Sequence, residues 1–294
     1  MFLRIGLLLL TNIAVLIVAG IVMSLLGVGQ MFDETGLNTT ALLIFCFIFG
    51  MGGSFISLLL SKKIALWTTK TQLIKNPSND IERWLVNEVK IMAERAGIGM
   101  PEVGIMPMQQ ANAFATGWNK DKALVAVSAG MLQRFNRDEI RAVMGHEVGH
   151  VANGDMVTMT LLQGVLNTFV LFFSRVIGYT VDKVVFKSDR PGIGYFFISI
   201  LAQIVLGILA SLILMWYSRY REFYADIAGA ELSSKDAMIS ALQRLKAESG
   251  IPDEMPEALN AFGINAGKRK GLREMFATHP PLDVRIKALQ EANI

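Results

Sequence analysis

Of the 294 residues only three are histidines, and two of them lie in one short motif, His146-Glu147-Val148-Gly149-His150. On a helix, positions i and i+4 share a face. His146 and His150 can therefore turn imidazole nitrogens toward one ion, with Glu147 beside the position left open. That is the zinc-peptidase arrangement: two ligands, and a carboxylate that takes a proton from zinc-activated water and passes it to the leaving amine. Zinc lowers the pKa of such a water toward about 7, so a nucleophile exists at neutral pH. In a chain this poor in histidine, a chance match to the pattern is rare.

A catalytic zinc site needs a third protein ligand and one open position. The metzincin continuation would place a glycine and then a histidine where Asn153 and Met156 stand, which excludes that class. Two candidates remain. One is His279, the last histidine. The other is Glu222, in Arg221-Glu222-Phe223-Tyr224-Ala225-Asp226. Glu222 and Asp226 are spaced i, i+4, so if Glu222 binds zinc, Asp226 can accept a hydrogen bond from a ligand imidazole. Two predicted membrane crossings separate His150 from Glu222. An even number returns the chain to the face it left, which favours Glu222.

The elements that must carry these residues are well signalled. Asn136-Arg137-Asp138-Glu139 has the pattern of a capping box, and the helix it opens carries the HEVGH motif and ends near Asn153-Gly154. Upstream, Asn76–Asp80 reads as a loop and helix cap, followed by an amphipathic helix to Ala96 that stops at Gly97. Glu102–Met106 is strand-like. Ala113–Thr116 and 124–127 flank Gly-Trp-Asn-Lys-Asp-Lys, which predicts a β-hairpin. Residues 252–271 carry weak signals of regular structure.

Composition sets the wider frame. Apolar residues make up 52% and charged residues 18%, and the mean hydropathy is +0.43. The apolar excess is concentrated in four runs, at about 5–28, 40–60, 156–179 and 193–217, each long enough for a membrane helix of about 20 residues. The first is too long for a signal peptide and lacks a cleavage-site pattern, so it reads as a retained span. No histidine, aspartate or glutamate lies inside the runs, which argues against a metal transporter. Cys46 is the one cysteine, which excludes an intrachain disulfide and a cysteine metal cage. No nucleic-acid motif accompanies the net charge of +3, so lipid is the partner it suits. Asp33 and Glu34 lie between the first two runs, whereas Lys62, Lys63, Lys70 and Lys75 follow the second. Positive charge stays inside, which puts both termini and the polar segments in the cytoplasm. The 180–192 loop, with Lys183, Lys187 and Arg190 against Asp182 and Asp189, runs against that orientation.

The expected organisation is a mainly α integral membrane protein with four transmembrane helices and a cytoplasmic α+β zinc-peptidase domain carrying a small β-sheet or hairpin. Residues 1–60 hold spans one and two, 61–155 the HEVGH part, 156–217 a hairpin of spans three and four, and 218–294 the part with the third ligand.

The segments HEVGHVANGD, SRYREFYAD, FATHPPLDVRI and NAFATG at 112–117 resemble those of the HtpX-type membrane peptidases, zinc-dependent relatives of the type I CAAX prenyl proteases. The resemblance covers nearly the whole chain. It implies a gluzincin-type zinc endopeptidase of the bacterial cytoplasmic (inner) membrane, cleaving membrane proteins and unfolded ones in stress-linked quality control. It implies one Zn2+ per chain, held by His146, His150 and Glu222 with Glu147 as general base, and other quality-control proteases as partners. It makes Asn112, Ala113, Phe114 and Ala115 the edge strand that pairs with an extended substrate through backbone hydrogen bonds. It also sets His279 near the site, where an imidazole can donate to the oxyanion of the tetrahedral intermediate, and Arg219 in a Ser-Arg pair. The prenyl proteases have seven spans enclosing a chamber. Four spans argue against a prenylated substrate.

Overall fold

The structure, a computed structural model, describes residues 32–33, 36–187, 191–248 and 277–294. The first apolar run and residues 252–271 lie outside the described residues. The helices are α1 (Thr39–Thr69), α2 (Asp80–Ala96), α3 (Ala129–Arg134), α4 (Arg137–Asn153), α5 (Asp155–Val184), α6 (Ile193–Leu232), α7 (Lys235–Glu248) and α8 (Leu282–Glu291). The strands are β1 (Phe32–Asp33), β2 (Gly36–Leu37), β3 (Gln72–Leu73), β4 (Glu102–Met106), β5 (Ala113–Thr116) and β6 (Leu124–Ser128).

The second, third and fourth apolar runs are the helices α1, α5 and α6, each long and apolar enough to cross a membrane. All three are longer than a span requires. At 1.5 Å per residue, the 40 residues of α6 extend about 60 Å, twice a hydrocarbon core of about 30 Å. A membrane helix therefore continues, without a break, into the segment that carries Glu222 and Asp226. Its last carbonyls are held by Arg95, whose guanidinium donates to the oxygens of Glu231 and Leu232.

The chain divides into two compact units, Met1–Phe55 with Leu161–Ala210, and Ile56–Thr160 with Ser211–Ile294. In the first, α1 and α5 pack through small residues. A Cβ placed on Gly50 would lie 2.6 Å from the Thr168 backbone nitrogen, so only glycine lets the helices approach this closely. Leu42, Phe45 and Cys46 then close an apolar cluster with Leu171, Phe172 and Val176.

The second unit holds a four-stranded sheet in the order β3-β4-β6-β5. The hairpin forms as its turn chemistry predicts, β5 pairing antiparallel with β6 in the register Ala113 to Val127. β4 lies parallel to β6, from Glu102 opposite Leu124 to Met106 opposite Ser128. Helix α2 buries Leu85, Val89, Met92 and Ala93, one face at i, i+4, i+7 and i+8. It starts on Asn79 and ends on Gly97, whose φ of 64° is the left-handed cap conformation glycine adopts without cost. Helix α4 opens with the expected capping box: Asn136 accepts from the Glu139 N–H, and Glu139 accepts from the Asn136 N–H. The Glu139 carboxylate also takes the Ser240 hydroxyl, tying α7 to the start of α4.

Candidate metal centre

HEVGH lies in the buried C-terminal half of α4, and Gly149 within it and Gly145 just before it decide what can approach. Built with a Cβ, Gly149 would meet the Ala228 Cβ at 2.6 Å, and Gly145 would meet the Gly229 Cα at 3.2 Å. On the other helix, a Cβ on Gly229 would lie 3.0 Å from the His146 nitrogen. Helices α4 and α6 thus cross almost backbone to backbone, along the face of α6 that carries Glu222, Ala225, Asp226 and Gly229 at i, i+3, i+4 and i+7. Gly149→Ala should force the helices apart, costing about 1–3 kcal/mol as an overpacked contact. The loss shows as a lower midpoint of thermal unfolding in detergent together with weaker metal binding. An unchanged midpoint and affinity would contradict this packing.

The crossing brings His146, His150 and Glu222 together, each offering a ligand atom within 4.8 Å of the others. The two Nε2 atoms are 3.1 Å apart, and Glu222 Oε1 lies 3.3 Å from His150 Nε2. Each imidazole is oriented from behind. Asp226 Oδ1 is 3.0 Å from His146 Nδ1, as the i, i+4 spacing predicted, and Asp155 Oδ2 is 2.6 Å from His150 Nδ1. With protons on both Nδ1 atoms, the Nε2 lone pairs face one another and repel unless a cation lies between them.

The charges lead to the same place. Four buried carboxylates (Glu147, Asp155, Glu222, Asp226) stand against two buried guanidiniums (Arg221, Arg285), an acidic balance that favours a cation. Both Glu222 oxygens are also buried without a directed hydrogen bond, and so keep lone pairs for a ligand role. The donor set of two imidazoles and one carboxylate fits zinc. Titration reflects the same crowding. Burial pulls His146 down to about 4. It acts on His150 in the same sense, but the Asp155 and Glu222 carboxylates outweigh it and lift that imidazole to about 9.

Glu147 is turned toward the sheet. Its carboxylate accepts the Ala115 N–H, and burial pushes it up to about 7 against the opposing pull of His150. β5 is an edge strand, as expected, but Asn112 precedes it rather than belonging to it. The Asn112 Oδ1 takes the Ala113 N–H. Ala113, Phe114 and Ala115 are at most 4% exposed, so this edge is covered in the present conformation.

His279 is drawn into the cluster. Its Nδ1 lies 2.8 Å from Glu222 Oε2, which makes it a neighbour of the ligand carboxylate. Arg219 donates to the carbonyl of Ala277, two residues before it. Two contributors were not singled out from the sequence, Asp155 and Arg285. Arg285 is fully buried and grips both acidic groups of α6: Nε and Nη2 reach the Asp226 oxygens at 2.8 and 2.5 Å, and Nη1 lies 3.2 Å from Glu222 Oε2. Burial opposes its charge, yet those carboxylates raise its pKa further.

The profile described as Peptidase family M48 matches residues 79–293. Protease HtpX of Hahella chejuensis is 60% identical over 287 residues, covering 97% of this chain and 98% of its own length. Protease HtpX of Alcanivorax borkumensis is 56% identical over 292 residues, with 98% of each chain covered. Among solved structures, S. mikatae Ste24p superposes with a TM-score of 0.63 at 17% identity, over 84% of this chain and 58% of that one. At such identity the likeness is one of fold.

Proposed function

The chain belongs to peptidase family M48 and is a membrane-associated metalloprotease, and from that premise we propose that it is a gluzincin-type zinc endopeptidase with Glu147 as its general base. The observation that carries the reading is the convergence of His146, His150 and Glu222 with Glu147 one residue from the first ligand. Zinc, when bound, supplies Lewis acidity toward a peptide carbonyl and lowers the pKa of water at its open position.

The chain's own groups do the rest. Asp226 and Asp155 hold the Nδ1–H of each histidine, which leaves Nε2 free to ligate. Glu147, steadied by the Ala115 N–H, takes a proton from the attacking water as its oxygen adds to the carbonyl carbon. When the C–N bond breaks, the same carboxyl gives that proton to the departing amine. The outer edge of β5 is the substrate rail of this proposal: an extended peptide pairs there through backbone groups, once what covers the strand is displaced. With its Nδ1 beside Glu222 Oε2, His279 serves as a positioning residue for that ligand rather than the oxyanion donor suggested by resemblance.

The proposed substrates are membrane proteins and unfolded chains, cleaved in quality control at the cytoplasmic face of the bacterial inner membrane. Four spans are proposed, the first being residues 5–28. The parts 61–155 and 218–294 form the catalytic domain on either side of the hairpin 156–217. Lys62, Lys63, Lys70 and Lys75 following α1's apolar run support that orientation. Chelation tests the reading. Dialysis against a strong chelator should abolish cleavage of an unfolded membrane substrate, and stoichiometric zinc should restore it. Cleavage that persists in fully metal-free protein would overturn it.

A further inference from the structure

The helix that delivers Glu222 carries a second surface on its opposite side. Val205, Leu209, Ile213, Trp216, Tyr220 and Tyr224 follow one another at spacings of four, four, three, four and four, a single face of α6. All six are about half exposed, although four are aliphatic or tryptophan. The aromatic end is ordered. Trp216 stacks on Tyr220 at 5.9 Å between ring centroids, and the Tyr220 and Tyr224 hydroxyls are 2.6 Å apart. Glu222 lies about 160° around the helix from both tyrosines, at about 100° per residue. The face therefore extends one residue pair beyond the metal ligand, on the helix's other side.

The end of α1 has the same character. Ile56, Leu60 and Trp67 share an exposed face with Lys63, and Trp67 is 82% exposed. Lys63 and Lys70 make no ion pair among the described residues, and with Trp67 between them they suit a layer of anionic headgroups. Tryptophan and tyrosine prefer that layer because one end of each is apolar and the other polar.

We propose that the Trp216–Tyr220–Tyr224 face rests in the headgroup layer of the bilayer, continuous with the lipid-facing stripe of α6. Glu222 lies between Tyr220 and Tyr224 along the axis, on the opposite side of the helix, so the metal centre stands at the depth of the headgroup layer. The substrate class that follows is narrow: peptide bonds in segments that border a membrane span. This last step rests on the proteolytic reading above; the seating of the helix does not.

The test uses the full chain in vesicles of phosphatidylethanolamine and phosphatidylglycerol. With Cys46 replaced by Ser, a nitroxide is attached at Tyr224→Cys and, as a water-exposed reference, at Glu94→Cys. The label at position 224 should collide preferentially with oxygen and be shielded from a water-soluble nickel chelate, whereas the label at 94 should not. Equal chelate access at the two positions would overturn the proposal. In parallel, Tyr220→Ser/Tyr224→Ser is compared with the unsubstituted chain on two substrates. One is an anchored substrate whose cleavable segment directly follows its span; the other is soluble unfolded casein. Losing two interfacial aromatics should cost about tenfold on the anchored substrate and little on casein. Equal losses on both would mean a structural role and also overturn it. If the unsubstituted chain cuts neither substrate, the proteolytic reading has failed, and the nitroxide measurement still decides the seating.

Discussion

Glu147→Gln is expected to retain its full complement of metal and to lose about 10²–10⁴-fold in kcat for peptide hydrolysis, the usual contribution of a positioned proton acceptor. Glutamine has nearly the same shape, and its side-chain oxygen can still accept the Ala115 N–H, so the packing of α4 against β5 should survive. What disappears is the ability to take a proton from water and to return it to the amine. Stability should not fall. The carboxylate is fully buried, and burial works against its charge strongly enough to push it up to about 7. A neutral amide is easier to keep there than a carboxylate. The check is cleavage of an unfolded membrane substrate alongside metal content, wild type against variant. Full activity in a clean Glu147→Gln preparation would remove the general base from the mechanism.

Arg285→Gln is expected to have the largest effect on stability of any change outside the ligands. The guanidinium holds Asp226 by two hydrogen bonds and stands 3.2 Å from Glu222, all three groups being buried. Removing it strands two carboxylates in low dielectric, and breaking a buried pair from one side costs about 3–5 kcal/mol. The effect on the metal follows by a short path. Asp226 orients His146, and Glu222 is itself a ligand, so metal affinity should drop about 10–100-fold, as when a group behind a ligand is lost. Arg285→Lys keeps one charge but not the forked geometry, and should recover stability better than it recovers affinity. Thermal unfolding and competition with a zinc chelator measure the two separately. If Arg285→Gln unfolds like wild type and binds zinc equally well, the C-terminal helix does not support the centre.

How far the sequence revealed all this depended on how local each signal was. The capping box at Asn136, the stop at Gly97 and the hairpin after Thr116 are chemistry within a few residues, and each stands where the sequence placed it. Asp226 was legible because i, i+4 on a helix needs no knowledge of the fold. Glu222 took one further step, the counting of membrane crossings. Asp155 had no such rule. It follows the Gly154 cap, whose φ of 68° turns the chain so that the first residue of the next helix reaches back to His150. In sequence it looks like an ordinary acidic start to a helix. Arg285 is farther still, 59 residues from Asp226, and nothing local in Pro-Leu-Asp-Val-Arg-Ile marks its arginine as buried. The strand at 113–116 was legible as one arm of a hairpin, and its place at the sheet edge came from the family resemblance. Its burial was not legible, because covering an edge is a property of the whole unit.

Metal K-edge absorption spectroscopy on the purified chain, wild type against Glu222→Gln, examines the metal centre itself. One zinc per chain is expected in the wild type, coordinated by nitrogen and oxygen donors that include two imidazoles, with substoichiometric metal and altered coordination in the variant. A wild type without stoichiometric metal, or a spectrum that Glu222→Gln leaves unchanged, would contradict this coordination.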